Sequence, residues 1–168
     1  MHPIAKVLSD LLRRVDGAIG ALVVESTGIP VQTLATDPSL NMEDISALVA
    51  KFLRESVNMV RDLNLSPLRS ITVNIDTLVF LLEHVQDEYW LGLLMESWSN
   101  LGLARFEMKR ALKDIRSILS GEIRATVEEE KEKVERVEKK GGLFEEGTKE
   151  KLKKKLKELG LNDLIGEE

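Results

Sequence analysis

The chain has 168 residues, 43% apolar and 4% aromatic, with 24 Lys and Arg against 29 Asp and Glu for a formal net charge of -5. That balance argues against nucleic-acid binding, which needs clustered cations facing phosphate, and the absence of cysteine excludes disulfides, thiol nucleophiles and Cys-based zinc or iron–sulfur sites. The length and apolar content predict one compact core packed mainly by Leu, Val and Ile, plus an appendage.

The first residues, M-H-P-I-A-K-V-L-S-D, lack the apolar centre of a signal peptide. The apolar run L-V-F-L-L at 78–82 is far too short to span a bilayer. The sequence therefore predicts a cytoplasmic protein with no membrane insertion. Ile4, Val7, Leu8, Leu11, Leu12 and Val15 recur at helical spacing, and Asp16-Gly17 ends that helix. Residues 18–26, A-I-G-A-L-V-V-E-S, read as a strand buried on both faces. Thr27-Gly28 makes a turn, and residues 30–35 form a short second strand that starts at Pro30, which has no N–H to donate.

Asn41 is placed to cap a second helix, with Glu43 and Asp44 at its positive end. This helix runs over 42–63. Its apolar set is Ile45, Leu48, Val49, Phe52, Leu53, Val57, Met59 and Val60, a stripe wider than one sheet contact requires. Two readings stay open: a helix deep in one core, or a helix that meets both its own sheet and a partner. Asn64 to Pro67 breaks it. Three strands follow at 69–75, 77–85 and 89–96, with turns at Asp76 and Asp87-Glu88. Ile71, Val73 and Ile75 alternate with Thr72 and Asn74, which gives that strand one apolar and one polar face. The whole is an α+β pattern: a five-stranded antiparallel sheet with helices on both faces, in the order α-β-β-α-β-β-β-α.

The stretch S-N-L-G-L-A-R-F-E-M-K-R-A-L, 99–112, opens the third helix despite its glycine. Asn100 is the expected N-cap, and Gly102 in the first turn would let the helix approach the sheet closely. Leu101, Ala104, Met108, Ala111, Leu112 and Ile115 form the expected buried stripe. Arg105, Lys109, Arg110, Lys113 and Arg116 stay in water.

Composition shifts near residue 120. Residues 1–120 hold 15 acidic and 12 basic side chains, while the last 48 positions hold 14 and 12. A globular domain at 1–120 and a charged helical C-terminal extension at 121–168 follow. Pairs such as Glu129–Lys133 and Glu135–Lys139 support a solvated helix over 122–140, with a few apolar positions at Ile123, Val127, Val134 and Val137, and Gly141-Gly142 ends it. Residues 148–159 read as a basic amphipathic helix capped by Thr148 and Gly160, with Leu152, Leu156 and Leu159 on one side and Lys153, Lys154, Lys155 and Lys157 on the other. An apolar hook of Leu161, Leu164 and Ile165 follows. This end either folds back on the domain or docks on a partner or an anionic surface.

Chemistry-bearing patterns are few. G-L-F-E-E-G-T-K at 142–149 imitates a phosphate-binding loop, but Thr precedes Lys and no strand leads into it. His84 stands in a strand with no nucleophile motif near it, so a structural role outweighs a catalytic one. Trp98, in S-W-S, is a candidate contact residue. No catalytic constellation, metal set or cofactor motif emerges.

Three features resemble the Roadblock family, named from dynein light chains, over roughly residues 4–118. They are the hairpin G-A-I-G-A-L-V-V-E-S-T-G-I-P-V, the long capped helix followed by a three-strand meander, and the Asn-Leu-Gly start of the last helix. The resemblance implies a homodimer in which the strand at 69–75 pairs with its copy across a two-fold axis and the second helices lie side by side. Leu48, Phe52, Ile71, Val73 and Ile75 would form that interface. An edge strand with an apolar face independently invites such pairing. The resemblance also implies a non-catalytic protein that binds a Ras-like small GTPase and stimulates GTP hydrolysis without an arginine finger, or a scaffold that holds a GTPase or other partner without changing hydrolysis. The expected partner surface is the exposed side of helix 42–63: Lys51, Arg54, Glu55, Asn58 and Arg61.

Overall fold

The computed structural model describes residues 1–139, together with 151, 154, 155, 157 and 158; the side chains of 122–124, 126 and 137–139 are not among those described. The elements are α1 (Pro3–Arg14), β1 (Ala18–Glu25), β2 (Pro30–Ala35), α2 (Met42–Asp62), β3 (Ser70–Ile75), β4 (Leu78–Gln86), β5 (Tyr89–Glu96) and α3 (Leu101–Lys139). The expected boundaries of the elements before α3 agree with these to within one residue. The chain divides into two compact units, Met1–Gly121 and Glu122–Glu168, and the residues of α3 fall in both.

The sheet is antiparallel throughout, in the order β2-β1-β5-β4-β3. Its middle strands are β1, β5 and β4, and its edges are β2 and β3. Alternation along each strand sorts side chains to two faces. Ala21 and Val23 of β1, Val79, Leu81 and Val85 of β4, and Leu91, Leu93 and Met95 of β5 pack with α1 and the first part of α3. Leu22, Val24, Leu82 and Trp90 pack instead with Met42, Val49 and Leu53 of α2. Helices thus cover both faces, and β1 is buried on both sides as its continuous apolar run demands.

Local chemistry explains the element ends. The His2 ring accepts from the Ile4 N–H at the start of α1, whose first residue, Pro3, has no N–H to satisfy. Asn41 Oδ1 accepts from the Asp44 N–H at 3.2 Å and caps α2. Asp76 and Asp87 take positive φ of 38° and 47° at the two meander turns, a conformation that short polar side chains tolerate.

The start of α3 departs in part from expectation. Asn100 Oδ1 accepts from the Leu103 N–H at 2.9 Å, so the cap is as expected. Gly102, however, approaches no strand: a Cβ there would meet only the Asn100 side chain. Leu101 is 38% exposed and does not belong to the buried stripe. The first turn of α3 overhangs the sheet, and contact begins at Ala104. The stripe continues through Met108, Ala111, Leu112 and Ile115 to Leu119. The charged stretch to Lys139 is the same helix, continuous from Leu101. The expected features at 140–150, and those at Leu152, Lys153, Leu156 and 159–168, lie outside the described residues, as do the side chains of Ile123 and Val137.

Candidate functional site

The sequence of α2 places more apolar residues than one sheet contact can cover, and the structure shows where the surplus goes. Val49 and Leu53 are buried against β1 and β4. Leu48, one position round the helix, is 68% exposed, and Phe52 is 44% exposed. Across from them, Ile75 on β3 is 52% exposed, while Ile71 and Val73 are half-buried on the same strand face. Between α2 and the β3–β4 side of the sheet runs an apolar groove of about 620 Å³, floored by Leu78, Phe80, Leu82 and Leu94 and walled by Leu48, Phe52, Val73 and Ile75. Four of the five residues expected at a self-association interface therefore line one groove. Ile71 lies beside it and packs with the α2-side core. Exposed apolar surface of this extent marks an interaction site.

The edge of β3 is chemically defined. The His84 N–H donates to the Arg69 carbonyl at 2.8 Å, and Ile71, Val73 and Ile75 then stand opposite Leu82, Phe80 and Leu78 in register. In an antiparallel ladder the backbone groups of alternate residues point to the same side. The odd-numbered residues therefore bond to β4, and Ser70, Thr72 and Asn74 direct their N–H and C=O groups outward. The other edge, β2, has its sides filled: Val31 and Leu34 pack with the α1-side core and Ala35 with the α2-side core.

The charged residues expected on α2 do not form one cluster. Lys51 and Glu55 sit at the rim of the apolar groove. Arg61 lies near the C-terminal end of α2, lining a second hollow of about 470 Å³ with Arg69, His84, Asp87 and Glu88. Arg54 is exposed and Asn58 half-buried, and neither lines these two cavities.

His84 is structurally engaged: its Nε2 lies 2.9 Å from the Asp87 carbonyl and its ring stands edge-on to Trp90 at 5.1 Å. Trp90 is buried and Trp98 is 70% exposed. Among the described residues no group of three His, Asp or Glu could hold a metal ion, and no helix is long and apolar enough to cross a membrane.

Sequence reasoning missed two features. Glu107 is buried on α3 and pairs with Arg14 of α1 at 3.3 Å and with Arg110 at 3.5 Å. Its helical position between Ala104 and Ala111 was the available signal. Phe106 is exposed on the outer side of α3, one residue from Arg105, which donates to Thr72 Oγ1 at 3.0 Å.

The chain matches the Roadblock/LC7 domain family over residues 4–95. Its fold is similar to that of a Roadblock/LC7 domain from Streptomyces avermitilis, with 17% identity and a TM-score of 0.64, covering 68% of this chain and 96% of that one. It is also similar to Myxococcus xanthus MglB, with 14% identity and a TM-score of 0.67, covering 72% and 98%. The gliding protein MglB of Thermus thermophilus shares 18% identity at a TM-score of 0.63, covering 69% and 87%. No curated protein matches the chain.

Proposed function

The chain belongs to the Roadblock/LC7 domain family, and from that premise we propose that it is a non-catalytic homodimer that binds a Ras-like small GTPase and stimulates its GTP hydrolysis without supplying an arginine finger. The observation that carries the dimer is the apolar groove between α2 and the outward-facing edge of β3. When β3 pairs with its copy about a two-fold axis normal to the sheet, each sheet face continues across the seam. Ile71, Val73 and Ile75 then meet their copies, and Leu48 and Phe52 meet the second α2. Complete burial of one such side chain is worth about 1.5–3 kcal/mol, and the pairing also satisfies the backbone groups of Ser70, Thr72 and Asn74.

The dimer carries two α2 helices side by side, and the GTPase docks on their exposed sides through Lys51, Arg54, Glu55, Asn58 and Arg61. The fold similarity to the two MglB chains and the charged helical extension after residue 121 support a regulator of this type. The test begins with affinity capture from the source organism's lysate, once with GDP and once with a non-hydrolysable GTP analogue. A small GTPase enriched with the analogue is then assayed for single-turnover hydrolysis with and without this protein. Faster hydrolysis is the expected result. A captured GTPase whose rate does not change makes the protein a scaffold, and absence of any GTPase in both states overturns the reading.

A further inference from the structure

The face of β3 that looks away from α2 is bare. Ser70, Thr72 and Asn74 stand in register with Glu83, Leu81 and Val79 of β4, and Leu81 and Val79 pack with α1 and α3. Residues opposite each other in a ladder share a face. The three polar side chains therefore point to the α3 side of the sheet, and all three residues are exposed. On this side α1 lies against β1 and β2. α3 reaches the sheet beside β4: Arg116 Nε donates to the Val85 carbonyl at 2.6 Å, and Arg105 extends past β4 to donate to Thr72 Oγ1 at 3.0 Å. Neither helix covers β3.

The side of α3 that faces this bare strand is cationic. Arg105, Lys109 and Arg116 are four and then seven positions apart, which at 3.6 residues per turn keeps them within about 40° of one another. All three are exposed. Arg105 and Lys109 act on the Glu83 carboxylate, and Lys109 and Arg116 line a small notch with it. The acidic residues on this part of α3 point elsewhere. Glu107 pairs with Arg14 of α1, and Asp114, nine positions from Arg105, falls on the opposite side of the helix.

In the proposed dimer, two copies of β3 lie side by side at the centre of the sheet, and both α3 helices stand on the same face. One β4 is then three strand spacings from the other, about 14 Å, and packed helices need axes about 8–10 Å apart. The space between the two α3 helices takes one strand or one helix. Its floor is Ser70, Thr72 and Asn74 from both subunits, which offer hydroxyl and amide hydrogen bonds in place of apolar surface. Each wall is one cationic row. An occupant must therefore be polar and anionic. Nucleic acid fits poorly, because floor and walls hold no aromatic ring for a base to stack on and Glu83 in each wall opposes a continuous line of phosphates. An acidic helix instead brings its carboxylates to one face only at every third or fourth position, and each meets guanidinium or ammonium donors.

We propose that this trough across the two-fold axis holds one acidic protein segment, bound by Arg105, Lys109 and Arg116 of both subunits. The inference rests on the β3 pairing proposed above and not on the GTPase, which is assigned to the α2 face of the sheet.

The test titrates the full chain into a fluorescein-labelled Glu/Ala peptide of about 16 residues, which as a helix spans the run from Arg105 to Arg116 at about 1.5 Å per residue. A Gln/Ala peptide and a single-stranded oligonucleotide are the controls, and sedimentation of the same samples reports the dimer. One peptide per two chains is expected, with affinity falling as salt rises and no binding of the Gln/Ala peptide. Arg105→Ala with Lys109→Ala should weaken binding at least about tenfold, as loss of charge-assisted hydrogen bonds does. Glu83→Gln should strengthen it several-fold, a gain that a merely structural role for Glu83 would not produce. An intact dimer that does not bind the acidic peptide, or that ignores these substitutions, overturns the trough and leaves the dimer standing. Two peptides per dimer would mean separate sites on each α3 and overturn it too, and tighter binding of the oligonucleotide would overturn the class of partner. A chain that sediments as a monomer lacks the second wall, and the inference then falls together with the β3 pairing.

Discussion

Gly17 shows how much one residue carries here. It follows Asp16 at the end of α1 with φ of +81°, in the left-handed region that favours glycine. A Cβ added there would collide with Ser99 Oγ and sit 3.0 Å from the Trp98 ring. Gly17→Ala should therefore cost about 1–3 kcal/mol of stability, read by chemical denaturation; a loss below about 0.5 kcal/mol would show that the Trp98 turn moves aside freely. The Asp-Gly pair was legible in the sequence as a helix stop. Its contact with Ser99 was not, because 82 positions separate the two and only the pairing of β1 with β5 brings them together. Glu83 offers a second test. Burial pushes its carboxyl pKa up, and the charges of Arg105 and Lys109 only partly oppose that. A raised folded-state pKa means that the ionised carboxylate destabilises the fold, so stability falls as pH rises through the folded value. Glu83→Gln should thus be more stable than the parent at pH 7, with the difference closing below about pH 4. Denaturation midpoints across this range check it. An equal difference at every pH would mean that the amide stabilises through packing and not through charge.

At the scale of elements, periodicity and capping did most of the work. The ends of α1 and α2 follow from Asp16-Gly17 and Asn41, and the meander follows from alternation broken at Asp76 and Asp87. The strand order was not legible, because nothing local in β5 says that it lies between β1 and β4. Nor was the overhang of Leu101 and Gly102, since helical spacing assigns residues to a face but does not say where along the helix contact with the sheet begins. The surplus apolar stripe of α2 was legible as a surplus, and the groove is its physical form. The backbone direction of β3 yields a sharp test of the proposed pairing. Thr72 points its N–H away from β4, so Thr72→Pro removes no ladder bond within the subunit, and proline is tolerated on an edge strand in that orientation. It does remove a donor that pairing with a second β3 would need. The expected outcome is a folded monomer by sedimentation and circular dichroism. Val73→Pro, by contrast, removes a bond to β4 opposite Phe80 and should destabilise the subunit itself. A Thr72→Pro protein that remains dimeric would move the interface away from β3.

For the whole molecule, the proposed two-fold pairing through β3 would do more than bury the groove. It would place two copies of α2 next to each other, so that each charged residue on the exposed side of that helix would occur twice on one surface. A GTPase that docks across both helices meets a doubled charge pattern that no monomer presents. This makes Arg54 and Arg61 the informative pair. Arg54 is exposed outside the groove, and Arg61 lies toward the C-terminal end of α2, at a hollow it shares with Asp87 and Glu88. Neither lines the apolar groove, so changing them should leave self-association intact. Exposed charges of this kind contribute little to folding, and each reversal should alter stability by no more than about 0.5 kcal/mol. Their effect on a complementary partner is larger, because like charges brought together at an interface cost several kcal/mol. The combined Arg54→Glu and Arg61→Glu protein should sediment as the parent dimer yet bind the analogue-loaded GTPase at least about tenfold more weakly, with most of the loss in the association rate at low salt. Unchanged binding by an intact dimer would place the GTPase on another face. Loss of binding together with loss of the dimer would instead show that these arginines act through assembly and not through the partner.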